Sequence, residues 1–149
     1  DILGKDLEEE KKKNAADTSE SSYDSVGISS SLKENVAAAI SSKNTAALEG
    51  YMATSVNVVF AASEKAGLRT PAEAVSDLDY ANSNGESPWN FNLSAATLAD
   101  YKAGFYGPYF GTSTIVGKSA NNLVVSFGID AYGDIDFVFV SASADLLTE

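Results

Sequence analysis

Residues 123–143 read LVVSFGIDAYGDIDFVFVSAS. Apolar, β-branched and aromatic residues alternate on both sides of Asp130-Ala131-Tyr132-Gly133-Asp134. Such alternation predicts strands over 123–129 and 135–143, joined as a hairpin. Gly133 suits the left-handed position of a three-residue loop, where an L side chain is strained. The register implied by that loop sets Ile129 opposite Ile135, Phe127 opposite Phe137 and Val125 opposite Phe139. A slip of one residue sets Ile129 against Asp136 and Phe127 against Val138 instead. The first register gathers Val116, Val125, Phe127, Ile129, Ile135, Phe137 and Phe139 on one face, which should receive the helices. The other face carries Ile115, Val124, Val138 and Val140 among Ser126, Gly128 and Asp136. It is more apolar than a face washed by water. The expected cover there is a second subunit or the N-terminal segment.

A third strand is predicted over 112–118, with a turn at Asn121-Asn122 that favours positive φ. Further upstream the period changes to that of helices. Ser31-Leu32-Lys33-Glu34 has the form of a capping box, followed by Leu32, Val36, Ala39 and Ile40 on one helix face. Thr45 can open a short second helix that buries Leu48, Tyr51 and Met52. A strand is predicted over 56–61. Thr70-Pro71-Ala72-Glu73 is a second capping box with Pro at the first helical position, starting a helix to about residue 81 with Ala74, Val75 and Leu78 inward. Residues 82–88 read as a loop and Trp89-Asn90-Phe91 as a short strand. Ser94 can cap an additional helix that carries Leu98, Tyr101 and Phe105 on one face. The fold class is α+β. A curved antiparallel sheet packs against N-terminal helices in a cone-like arrangement over 31–147, with the extra helix before a C-terminal meander.

Residues 1–30 differ in kind. Four lysines stand against eight acidic residues, and a Ser- and Asp-rich run follows. That composition predicts a polar acidic linker or tail. The alternative is a helix over 3–16 supported by the Glu8–Lys12 and Glu9–Lys13 pairs. The start at Asp1, without Met, is what a processed product, a trimmed chain or an excised ectodomain would show.

The order of elements, together with the Asp130-x-x-Gly133-x-Ile135 turn at the head of the last strand, resembles the nuclear-transport-factor-two-like superfamily and its SnoaL-like branch. The matching pieces are the paired helices over 36–52, the strand over 56–61 and the helix over 70–81. The resemblance spans residues 31–147 and implies a curved sheet wrapped around helices with a pocket at its open end. The helix that begins after Ser94 departs from that pattern and would reshape the pocket mouth. The superfamily's enzymes work by acid–base chemistry with Asp and often His. Members without catalytic residues serve as binding, dimerisation or accessory domains, often extracytoplasmic in bacteria.

Composition removes several chemistries. The chain has 149 residues, 10 Lys and Arg against 21 Asp and Glu, and a formal net charge of −11. No basic surplus exists to neutralise nucleic-acid phosphates or an anionic membrane surface. The sequence holds neither Cys nor His. Thiolate chemistry, disulfides and the commonest general base are therefore absent. No Gly-rich phosphate loop or Ser-x-x-Lys arrangement is present. Asp130, Asp134 and Asp136 lack Ca²⁺-loop spacing and read as turn-stabilising residues. Asp77 and Asp79 diverge on their helix and read as a solvated face. The sequence thus assigns no catalytic residue, no metal ligand and no cofactor.

One run stands out: Phe105-Tyr106-Gly107-Pro108-Tyr109-Phe110. Its aromatics read either as packing at a helix-to-strand corner or as an aromatic ligand rim of Trp89, Tyr101, Tyr106 and Tyr109. The leading expectation is a non-catalytic binding or interaction domain, extracytoplasmic or on the cell surface. Its partner would be a protein or small ligand, with a homodimer formed through the outer sheet face. The alternative is a cofactor-free acid–base enzyme, an isomerase or hydrolase, using a buried carboxylate and a Tyr.

Overall fold

The computed structural model describes residues 30–62, 65–111 and 113–148. The linker or tail expected over 1–30, and the alternative helix over 3–16, lie outside the described residues except for Ser30. Helix α1 spans Ser30–Ser41 and buries Leu32, Val36, Ala39 and Ile40, the face read from the sequence. It already runs at Ser30, so Ser31 lies inside its first turn and does not cap it. Lys43, at φ 62°, ends it in a left-handed turn, and Asn44 N donates back to Ala39 O at 2.8 Å. A 3₁₀ helix, Thr45–Tyr51, takes the place of the short second helix and buries Thr45 and Leu48.

Strand β1 spans Met52–Phe60 and strand β2 Lys65–Arg69. Helix α2, Pro71–Asp77, opens on the expected capping box. Glu73 N donates to Thr70 Oγ1 at 3.2 Å, and Thr70 N donates to Glu73 Oε1 at 3.0 Å. The predicted helix breaks at Leu78 and resumes as α3, Asp79–Asn84. Ala74, Leu78 and Ala81 are fully buried along this pair. Helix α4 spans Ala95–Ala103, capped by Ser94 Oγ accepting from Thr97 N at 3.1 Å. A 3₁₀ turn Gly107–Phe110 then leads to β3, Thr114–Lys118, β4, Val124–Ile129, β5, Ile135–Ser141, and a last 3₁₀ turn, Ala144–Leu147.

The five strands form one sheet in the order β2-β1-β5-β4-β3. Three pairings are antiparallel, as expected, but β1 and β5 run parallel, so the sheet is mixed. The first strand slots in beside the last, and everything between them serves as the crossover. Trp89-Asn90-Phe91 contributes a single bridge, Asn90 to Lys118, beyond β3.

The hairpin turn forms as read. Gly133 sits at φ 86°, and Asp130 Oδ1 accepts from Tyr132 N at 2.9 Å and from Asp134 N at 3.0 Å. Ile129 pairs with Ile135 as expected, but the register then slips by one residue at Asp136. Beyond the slip, Phe127 faces Val138 and Gly128 faces Phe137. The expected register is thereby corrected, and the cause is steric. A Cβ on Gly128 would collide with the Phe137 ring, which lies across it. The bulge leaves the polar Asp136 out of the ladder and gives that ring a vacancy to fill.

The slip redistributes the core. Phe127 packs with Val36, Ile40, Leu48, Val56, Val58, Ile115, Val138 and Val140 beneath α1 to α3. Phe139 moves to the opposite face, in a second cluster with Val59, Tyr101, Phe110, Val116, Val124 and Leu147, against which Phe137 is packed. Phe127, Phe137 and Phe139 therefore do not share a face, and Val116 and Ile115 exchange the places expected for them. The second face is covered by the chain itself, through α4, the Gly107–Phe110 turn and the C-terminal turn.

Gly128→Val should displace the Phe137 ring and cost about 1–3 kcal/mol as overpacking, read from the urea midpoint. The same change at Gly67, where a Cβ meets nothing within 4 Å, should leave the midpoint nearly unchanged. Equal effects at the two glycines would refute the nesting of Phe137 on Gly128.

Candidate functional site

Of the four residues proposed as an aromatic rim, the fold brings together three. Tyr101, on α4, is 3% exposed and its ring lies 5.3 Å from Phe110. Tyr106 lies 5.2 Å from Phe139, and its hydroxyl accepts from Ala62 N at 2.8 Å. Tyr109 stacks on Phe139 at 4.8 Å and meets Phe137 edge-on at 5.5 Å. Trp89 is elsewhere. It packs against the first cluster, 6.2 Å from Phe91 and over Gly85. The three tyrosines roof Phe137 and Phe139, and Trp89 takes no part in that roof.

The roof is held by close approaches that admit no side chain. A Cβ on Gly107 would strike Lys102 O, and one on Gly104 would strike Leu147 O. The chain can therefore reverse directly after α4 and press the end of the helix against the C-terminal turn. The fully buried Ser126 anchors the turn from below, its Oγ donating to Tyr109 O at 2.6 Å. Phe105, expected on the buried face of α4, lies past the helix end and is 83% exposed. Gly104 ends the helix and turns that ring outward.

Where α4 meets the C-terminal turn lies an open concavity of about 310 Å³, lined by Asp100, Ala103, Gly104 and Thr148. Asp145 is close by, its carbonyl accepting from Thr148 N at 3.3 Å. Burial raises the Tyr101 phenol above its ordinary value, and the negative charges of Asp100 and Asp145 add to the shift. Sequence reading missed Asp100, Asp145 and Thr148. No local pattern could find them, because α4 and the C-terminal turn come together only in the folded chain.

The other carboxylates read as structural. Asp130 holds its turn, as described above. Asp77 pairs with Arg69 at 2.9 Å, and Asp79 accepts from Asn82 Nδ2 at 3.4 Å. Asp136 is raised above its ordinary value, first by burial and next by Asp130, with a backbone hydrogen bond opposing. Among the described residues no three His, Cys, Asp or Glu residues are grouped to hold a metal ion.

No family model and no curated protein matches the chain. Two solved structures resemble it. One is a DUF4783 family protein from Bacteroides ovatus ATCC 8483, with a TM-score of 0.51 and 15% identity over 78% of this chain and 96% of that one. The other is a DUF4783 family protein from Bacteroides fragilis YCH46, with a TM-score of 0.49 and 18% identity over 71% of this chain and 93% of that one. At such identities the likeness is one of fold.

The Asp136 shift fixes a sign. The unfolded carboxyl loses its proton first, so Asp136 costs nothing in strong acid; the cost grows as the pH rises from the unfolded value to the raised folded one and is constant above it. Asp136→Asn should therefore melt above the wild type at pH 7, with the difference vanishing near pH 3. A variant that is less stable at pH 7 would contradict the burial.

Proposed function

We propose that this chain is a non-catalytic binding or interaction domain. The observation that carries the reading is the separation of the two groups an acid–base mechanism would need. Asp136 stands at the start of β5, with Asp130 as its charged neighbour. Tyr101 has Asp100 and Asp145 as its neighbours, and Asp145 follows the end of β5. The raised carboxyl and the raised phenol thus have no charged neighbour in common, which argues against one shared acid–base site.

Further support comes from what the aromatics do. Tyr106 and Tyr109 are engaged as packing on Phe139. Phe105 and Tyr132, at 83% and 88% exposure, face solvent instead. These two rings are free to meet a partner. An extracytoplasmic setting belongs to the same reading, on the Ser- and Thr-rich composition and on the pattern-level resemblance to accessory domains of the nuclear-transport-factor-two-like superfamily.

Selection of random displayed peptides against the immobilised full chain tests this. A reproducible consensus that binds wild type and Asp136→Asn alike is the expected result. No consensus after repeated rounds, or a substrate turnover that Asp136→Asn abolishes, would overturn the reading.

A further inference from the structure

Asn84-Gly85 is the single Asn-Gly pair in the chain. In an open chain such a pair degrades by itself. The Gly nitrogen, with no side chain beside it, attacks the asparagine amide carbon and ammonia leaves. Water then opens the resulting succinimide ring to aspartate or isoaspartate. A loop over 82–88, as read from the sequence, would leave the pair open to this chemistry. The fold holds it shut instead. Asn84 is the last residue of α3. The Gly85 N–H, which must lose its proton before the nitrogen can attack, donates to Ala81 O at 2.8 Å. The amide that would leave is held too, Asn84 Nδ2 donating to Tyr80 O at 2.8 Å. Asn121 clamps the main chain from a distant loop. Its Nδ2 donates to Asn84 O at 2.8 Å, and its Oδ1 accepts from Glu86 N at 3.0 Å. Ring closure needs the backbone at 84–85 to rotate, and these bonds resist that rotation.

Packing also explains why the pair is there. Gly85 is buried, and a Cβ on it would collide with the Trp89 ring. That ring packs in turn against the first core cluster, beneath α1 to α3. Any larger residue at 85 would hinder the attack, but it would also lift Trp89 off the chain. Asn84 supplies the side-chain donor that closes back on the preceding turn. The reactive pair is thus kept by packing and kept dormant by hydrogen bonds.

We propose that Asn84 is a deamidation site whose reaction proceeds only through local opening of residues 84–89, so that its conversion is a one-way chemical record of that opening. The step balances. The bond from Gly85 N to Asn84 Cγ forms, the bond from Asn84 Cγ to Nδ2 breaks with release of ammonia, and one water reopens the ring. Both products disturb the segment that had protected the asparagine. Isoaspartate lengthens the main chain by a methylene and moves Gly85 out from beneath the Trp89 ring. Aspartate sets an acceptor where Tyr80 O needs a donor. Conversion therefore loosens Trp89 and cannot be undone by refolding. The proposal is independent of the binding-domain reading.

The test incubates the full chain, native and in urea, at physiological pH and temperature, and follows deamidation of each asparagine by peptide mass spectrometry. Unfolded wild type should convert at Asn84 ahead of every other asparagine. Native wild type should convert there at least about tenfold more slowly. Asn121→Ala frees Asn84 O and Glu86 N, and should speed the native reaction by about fivefold while leaving the rate in urea unchanged. Trp89 is the only tryptophan, so its emission should move to the red in protein aged in urea and then refolded. Native conversion as fast as in urea, a native Asn121→Ala rate equal to the wild type, or unchanged Trp89 emission after ageing would each overturn the proposal. The wild-type comparison and the emission test decide the matter even if Asn121→Ala does not fold. Peptide selection enters none of these measurements, so this proposal and the binding-domain reading fall separately.

Discussion

Phe137 can lie across β4 only because Gly128 has no Cβ, and that single vacancy decides how the sheet is divided between two interiors. With the ring seated there, β5 must slip by one residue at Asp136, and every side chain beyond the slip changes face. Phe127 is left to the helices α1 to α3, while Phe139 passes to the opposite side. The helix α4, the Gly107–Phe110 turn and the C-terminal turn are then needed as a roof, because a face carrying Val59, Val116, Val124 and Phe139 cannot stay in water. The concavity and its acidic neighbours exist only because that roof has an edge.

Much of the local structure was legible, and for a common reason. The Thr70 capping box, the Ser94 cap, positive φ at Asn122 and Gly133 and the buried stripe of α1 all depend on residues a few positions apart. So does the Asp130 turn, where one carboxylate oxygen satisfies two backbone donors of its own loop. The α+β class followed from these pieces, since a helical period early and an alternating period late leave few other arrangements.

What escaped the sequence depends on partners far apart in the chain. Nothing near Met52–Phe60 announces that it will lie parallel to Ile135–Ser141. Strand β2 carries a Gly and a single large aliphatic residue, Leu68, that is 72% exposed, so it has little strand signal of its own. The sequence offers two uniform registers, and hydrophobic count favours the one that gathers three phenylalanines; a bulge at Asp136 that keeps Ile129 on Ile135 and shifts the rest is neither. The fit of one ring to one glycine outweighs that count, and it shows only when both strands are in place. Of the proposed rim, Tyr101, Tyr106 and Tyr109 lie in one cluster with Phe139. Trp89 lies on another face, and Asp100, Asp145 and Thr148 carried no mark at all.

The two central strands come from opposite ends of the described chain, and this has a kinetic consequence. The pairs β1–β2 and β3–β4–β5 are local, but the two halves join only through β1 and β5, far apart in the chain. Contacts of such wide sequence separation raise the contact order and slow the search for the native topology. During synthesis β1 waits with one edge bare until β5 has left the ribosome, and for that interval the edge is open to foreign strands.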